Sequence, residues 1–361
     1  MEFHVRYNSK QSRELWIIGS AVAIVAAMII WQFWLHGRPE QGPRPGGADA
    51  NTPGRAGHVT DAGPGGGRKA DSNTPGGLGA TNVPADANAE ITLLQGIDAA
   101  TAIKMVADGE KLLAERKKAE GRAMLSKALL SGKLGEATAN TVRAKLEALA
   151  DEMIFSREVF DGDPYTAQYT FLRGEVLARV ERKLSLHVPT QILLKINRVG
   201  AGKSIREGQT FKVIYGPFHA IVDKGDFTMD IFLHRDGCDP AFVRRLRVGL
   251  GRNGSTPLGL WHVRLGGKLE RAPWSLQTPE GGPSIRWGQP GYPLGKMGYW
   301  ISLEGMDDAN RRFEGYGIHG TNDPASIGKA SSLGCIRLAD PDIELAFFVL
   351  YEKWSTVRVR P

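Results

Sequence analysis

The sequence predicts a multidomain chain: an N-terminal transmembrane helix, a disordered linker, a small helical segment, a βααβ module and a mainly-β C-terminal domain. Three observations predict it. An uncharged apolar run lies between Leu15 and Leu35. A tract rich in Gly, Pro, Ala, Asp and Asn follows, holding many of the chain's 45 glycines. Beyond it the apolar pattern first repeats every three to four residues and then alternates, the change from a helical to a strand period. The expected boundaries are 1–36, 37–90, 91–160, 165–216 and 219–361.

The apolar run reads LWIIGSAVAIVAAMIIWQFWL. About 20 such residues cross the hydrocarbon core of a bilayer as a helix. Trp16 stands at one end and Trp31 and Trp34 at the other, where aromatic belts are expected. A cleaved signal has a shorter apolar core and a small-residue cleavage site. Here WQFWLHGRP closes the run, so an uncleaved anchor is expected. Arg6, Lys10 and Arg13 precede it and favour a cytoplasmic N-terminus. That places a single-pass protein in the inner membrane, with the remainder in the periplasm or cell-wall space. Residues 37–90 hold too few apolar groups to offset chain entropy. As a flexible tether they span about 40 Å root-mean-square.

Two or three short helices are expected over residues 91–160, in a form similar to a degenerate tetratricopeptide hairpin. Val142, Leu146, Leu149 and Met153 form an apolar stripe, and Ile103, Val106 and Leu113 a weaker one. Gly109, Gly121, Gly132 and Gly135 punctuate the segment. Residues 169–213 then read as strand, helix, helix, strand. Tyr169, Gly174, Leu177, Asn197, Ile205, Gly208 and Gln209 occur in the order of the LysM pattern, which this stretch resembles. Glu175 and Val176 replace the usual Asp and Thr where the first helix begins. The resemblance implies a βααβ fold and binding of N-acetylglucosamine-containing glycan; a spacer is the alternative.

In the C-terminal domain, alternation from Phe227 to Leu233, at Leu246, Val248 and Leu250, and at Trp261, Val263 and Leu265 predicts strands. Arg235-Asp236-Gly237 marks a turn. A helix is expected from Pro341 to Glu352 and a last strand from Ser355 to Val359. Short strands with Gly turns suggest a sandwich or barrel-like sheet. The net charge of +7 favours anionic partners in general. The densest basic run, Arg244-Arg245-Leu246-Arg247, lacks interleaved aromatics and reads as a solvated strand or loop, so nucleic acid is not an expected partner.

Chemistry concentrates in IHGTNDPASIGKASSLGCIRL, where His319 precedes Cys335 by sixteen residues. Metal is not expected, because no Cys-x-x-Cys or second His accompanies the pair and Asp323 is the one nearby carboxylate. A disulfide would need Cys238, in a turn nearly a hundred residues upstream. A buried inert thiol and a nucleophile are the stronger alternatives. In the second reading a neighbouring imidazole stabilises a thiolate, and a third group orients the ring. Gly320 offers a carbonyl beside the ring, Gly334 frees space beside sulfur, and the Cys335 amide can face a developing oxyanion. In a strand, Arg337 would share the face of Cys335.

The His-Gly pair followed by Ser-x-Gly-Cys-Ile-Arg resembles the signature of the YkuD-type L,D-transpeptidase catalytic domain. Ser255-Thr256-Pro257-Leu258-Gly259, Pro293-Leu294-Gly295 with Tyr299-Trp300-Ile301, and Tyr316 to Thr321 resemble its further segments. The resemblance implies a peptidoglycan acyltransferase needing no cofactor. Cys335 would be the nucleophile and His319 its base, with the Gly320 carbonyl orienting the ring. Ser332 and Gly334 would shape the site, and Arg337, Tyr316 and Asn322 would meet substrate. Expected partners are peptidoglycan stem peptides and glycan, and carbapenem acylation of Cys335 is a further implication. Leu333 stands where many members have a second His. The alternatives are an L,D-carboxypeptidase using the same thioester and a non-catalytic glycan-binding envelope protein.

Overall fold

A computed structural model describes residues 94, 96–200, 203–275 and 284–361. The expected anchor and linker lie outside the described residues. Among the described residues no helix is long and apolar enough to cross a membrane.

Among the described residues the first helices with defined bounds are α1 (Ala99–Ala114), α2 (Lys118–Leu130) and α3 (Glu136–Met153). Asp98 caps α1 by accepting a hydrogen bond from the Thr101 amide at 2.7 Å. The stripe Val142, Leu146, Leu149 and Met153 is buried as its spacing predicts. The weaker stripe holds in part: Val106 and Leu113 pack against the helical core, whereas Ile103 is exposed and α1 buries Ala102 and Gly109. Two glycines read as punctuation therefore lie inside helices. A Cβ on Gly109 would stand 2.9 Å from Leu125, and one on Gly121 2.7 Å from Leu113. Hydrogen at these positions lets the backbones of α1 and α2 approach closely.

The βααβ module follows: β1 (Thr166–Thr170), α4 (Leu177–Leu184), α5 (Thr190–Ile196) and β2 (Thr210–Ile214), with β1 antiparallel to β2. Asn197 ties α5 to β2. Its amide donates to Leu193 O and Lys212 O, and its Oδ1 accepts from the Lys212 amide at 2.7 Å. Glu175 closes the loop before α4, accepting from Tyr169 Oη at 2.6 Å and the Leu172 amide at 3.0 Å. The Tyr169 bond, the Leu172 amide and Lys183 hold its carboxyl down at about 2. Asp163 fastens this module to the helices. It accepts from buried Arg122 at 2.7 Å, from the Tyr165 amide at 3.0 Å and from Thr166 Oγ1 at 2.8 Å.

The remaining strands are β3 (Phe218–Asp223), β4 (Thr228–Leu233), β5 (Ala241–Gly251), β6 (Gly259–Leu269), β7 (Trp274–Ser275), β8 (Ser284–Ile285), β9 (Trp300–Gly305), β10 (Gly317–Gly320), β11 (Ala330–Ser332), β12 (Ile336–Leu338) and β13 (Thr356–Arg360). Helix α6 (Asp340–Val349) precedes β13. The main sheet runs β11-β5-β12-β10-β9-β6-β13-β3-β4, and β4 pairs again with β5. The sheet thus closes into a barrel, which leaves few unpaired edges. One apolar core unites barrel, α6 and module, from Phe171 and Leu193 to Trp261 and Ile318. The Arg244-to-Arg247 run is a strand in which Arg247 is exposed as expected, while Arg244 is buried and Arg245 half-buried. Arg244 is buried against α3, where it pairs with Asp151, and Arg245 forks onto Asp230 with two 2.6 Å bonds. Carboxylates on α3 and β4 meet these guanidiniums, so the run fastens helices to barrel.

Candidate active site

Strands β10 and β12 lie side by side and parallel, with Ile318 opposite Ile336 and His319 opposite Arg337. This register brings His319, inside β10, near Cys335, the residue before β12. Both line a cleft of about 570 Å³. Ser332, Arg337, Tyr316 and Asn322 line it too. Gly320 and Gly334 do not line it; they sit behind it, next in sequence to His319 and Cys335. Sequence reasoning did not select Trp300, Leu294, Thr321 and Glu314 as site residues, yet they share the wall. Trp300 and Leu294 carried a signal, because both fall in segments that resembled the family. Glu314 carried none.

His319 is buried, and its ring stacks on Trp300 with centroids 5.4 Å apart and planes 12° from parallel. Trp300 is itself fixed by donating from Nε1 to Ser302 Oγ at 2.8 Å. A Cβ on Gly317 would stand 2.8 Å from the Trp300 ring, so only glycine leaves the indole its place. The Nδ1 of His319 is 2.6 Å from Gly320 O. A carbonyl only accepts, so Nδ1 carries the proton and Nε2 keeps the lone pair. Burial pushes the imidazole down to about 4, with the Gly320 bond opposing and Arg337 assisting.

Cys335 is half-buried, and burial raises its thiol, against a Gly317 amide contact and the charge of Arg337. Its Sγ faces Gly315 O at 3.7 Å. At neutral pH both groups are therefore uncharged: a thiol sharing one cleft with an imidazole whose Nε2 is unprotonated. The sequence-based reading had a thiolate stabilised by the ring. In the structure the desolvated pocket instead penalises both the thiolate and the imidazolium. Both cysteines are free, which removes the disulfide reading. Among the described residues no cluster of His, Cys, Asp and Glu could hold a metal.

The turn before β12 is tightly held. Ser332 Oγ accepts from the Gly334 amide at 3.1 Å and donates to Cys335 O at 2.7 Å. Gly334 has φ +143°, and a Cβ there would meet Tyr316 Cε1 at 2.5 Å. Leu333 is 63% exposed at the rim, where a second His would have been polar. On the opposite wall the Asn322 amide donates to Pro293 O at 3.1 Å. Asp340 at the start of α6 accepts from the Lys296 amide at 3.0 Å. These bonds fix the Pro293-to-Lys296 loop beside the histidine strand.

The chain is 51% identical to YkuD of Bacillus subtilis over 76 residues, which is 20% of this chain and 40% of that protein. It is 49% identical to YkuD of Bacillus licheniformis over the same length. The chain thus spans about two fifths of these curated relatives. Among solved structures, an L,D-transpeptidase from Mycobacterium smegmatis is 12% identical, covering 55% of this chain and 91% of that one, with a TM-score of 0.29. L,D-transpeptidase 3 from Mycobacterium tuberculosis, solved with a faropenem-derived adduct, is 11% identical over 55% and 92%, with a TM-score of 0.28. Residues 217–359 match the family model of the YkuD L,D-transpeptidase catalytic domain, a span that contains both His319 and Cys335.

Proposed function

We propose that the chain is a cysteine-dependent peptidoglycan L,D-transpeptidase. The carrying observation is the neutral His319 ring, with Nδ1 engaged by Gly320 O and Nε2 free, sharing one cleft with the Cys335 thiol. Cys335 Sγ attacks the carbonyl of the L-centred residue in a donor tetrapeptide stem. His319 Nε2 takes the thiol proton as the S–C bond forms. The amide C–N bond breaks, and the departing D-amino acid takes that proton from the imidazolium. An acceptor amine, in a 3→3 crosslink the side chain of a neighbouring stem's diamino acid, then attacks the thioester. The new amide C–N bond forms, the C–S bond breaks and the proton returns to sulfur. The Cys335 amide would stabilise the oxyanion at both stages.

Arg337 gives the cleft a cation suited to a stem carboxylate. Trp300, Leu294 and Trp274 offer apolar wall. A LysM-like module at residues 165–216 would hold glycan near the cleft. A membrane anchor at residues 15–35, with the tether after it, would keep the enzyme within reach of the wall. The test is incubation of the full-length protein with defined tetrapeptide muropeptides. Crosslinked dimers that vanish in Cys335→Ala support transfer. Tripeptides without dimers assign the thioester to water and an L,D-carboxypeptidase. No Cys335-dependent product overturns the enzyme reading.

A further inference from the structure

Thr256 lies far from the chemistry in sequence, yet its hydroxyl reaches the turn that carries Cys335. The side chain is 2% exposed. Its Oγ1 accepts from the Gly251 amide at 2.8 Å and donates to Gly334 O at 2.9 Å. With the Gly251 N–H donating to it, the hydroxyl proton is directed at Gly334 O, so the bond has a defined sense. The packing admits little adjustment. A Cβ on Gly251 would stand 2.7 Å from the Thr256 amide and 2.9 Å from Gly334 Cα.

Gly334 O belongs to the same peptide unit as the Cys335 N–H. A trans peptide points its carbonyl and its N–H in opposite directions. Whatever fixes the Gly334 carbonyl therefore fixes the direction of the Cys335 amide. Its neighbours are already committed: the Gly334 amide and the Cys335 carbonyl both bond Ser332 Oγ. The Cys335 N–H has no hydrogen-bond partner among the described residues. Glycine at 334 is needed, because a side chain there would meet both Tyr316 and Ser255 O.

We propose that Thr256 is a positioning residue for the oxyanion hole: its hydroxyl clamps the Gly334 carbonyl and so aims the Cys335 amide into the cleft. The inference rests on the reading of Cys335 as an acylated nucleophile. A donor is effective only when it already points at the developing charge. Losing the clamp lets the peptide rotate, and the amide must then be reoriented during attack.

The experiment compares two reactions of Cys335 in the full-length protein at one pH. Imipenem acylation passes through a tetrahedral oxyanion. Alkylation by iodoacetamide is a displacement at carbon and forms none. Thr256→Val keeps the branched shape and removes the hydroxyl. It is expected to slow acylation about 10- to 100-fold, less than the roughly 10²–10³-fold for outright loss of a donor. Alkylation should stay within about twofold of wild type, and Thr256→Ser should restore acylation. If Thr256→Val does not fold, Thr256→Ala carries the same comparison. Equal loss in both reactions would mean a merely structural role and overturn the proposal. So would unchanged acylation, or a Thr256→Ser variant as slow as Thr256→Val. A wild type that shows no Cys335-dependent adduct defeats the nucleophile reading itself, and the proposal with it. A wild-type adduct with an unaltered Thr256→Val rate defeats the proposal alone.

Discussion

The uncharged resting state of Cys335 and His319 has a direct signature in the pH dependence of thiol alkylation. Burial raises the thiol above its ordinary 9.0, so the thiolate fraction at pH 7 is below about 1%. The imidazole, pushed down to about 4, is protonated in roughly one molecule in a thousand at that pH. Iodoacetamide reacts with thiolate alone. Its rate at Cys335 should therefore climb about tenfold per pH unit between pH 6 and 8, without a plateau in that range. His319→Asn should leave the position of this rise nearly unchanged, because no ion pair exists to be broken. The assay is mass spectrometry of the modified chain, with Cys335→Ala separating Cys335 from Cys238. A plateau already reached by pH 6–7, abolished in His319→Asn, would mean a thiolate–imidazolium pair and refute the reasoning.

Two further outcomes concern stability. His219 is fully buried and accepts from the Thr356 amide at 3.1 Å, and burial, with His234 assisting, pushes it down to about 3. His219 and His319 both stay neutral when folded but protonate near pH 6.5 when unfolded. The stability they support is thus present above about pH 6.5 and lost as pH falls. Urea unfolding at pH 5 should show a loss of about 2 kcal/mol from each relative to pH 7. Separately, Arg122→Ala would leave the buried Asp163 carboxylate without its cation. Urea unfolding of this variant should show about 3–5 kcal/mol of destabilisation. A change below about 1 kcal/mol would mean that Asp163 is compensated by its two other donors.

The legible parts of the molecule were those governed by local pattern. The Val142-to-Met153 stripe reports the buried face of α3. The alternation from Phe227 to Leu233 reappears as the strand β4, but it is not half-buried, because Thr228 and Phe232 on the other face are buried too. The late helix also reappears, at Asp340–Val349. Side-chain partners distant in sequence were not legible. Ile103 looked like core, but the close crossing of Gly109 and Gly121 rotates α1 so that Ala102 is buried instead. Arg244 looked solvated because its acid, Asp151, lies 93 residues upstream. The same holds at the cleft. His319 and Cys335 stood out by residue type and flanking glycines. Glu314 entered only through the shape of the cleft. Thr256 was noticed as part of a turn, while its bond to Gly334 spans 78 residues.

The proposed role of Cys335 as the nucleophile of an acyl-transfer site is open to intact-mass measurement of the full-length protein after incubation with imipenem, with Cys335→Ala alongside. A single covalent adduct on the wild type and none on Cys335→Ala is the predicted result. An unmodified wild type, or an adduct that persists in Cys335→Ala, would contradict it.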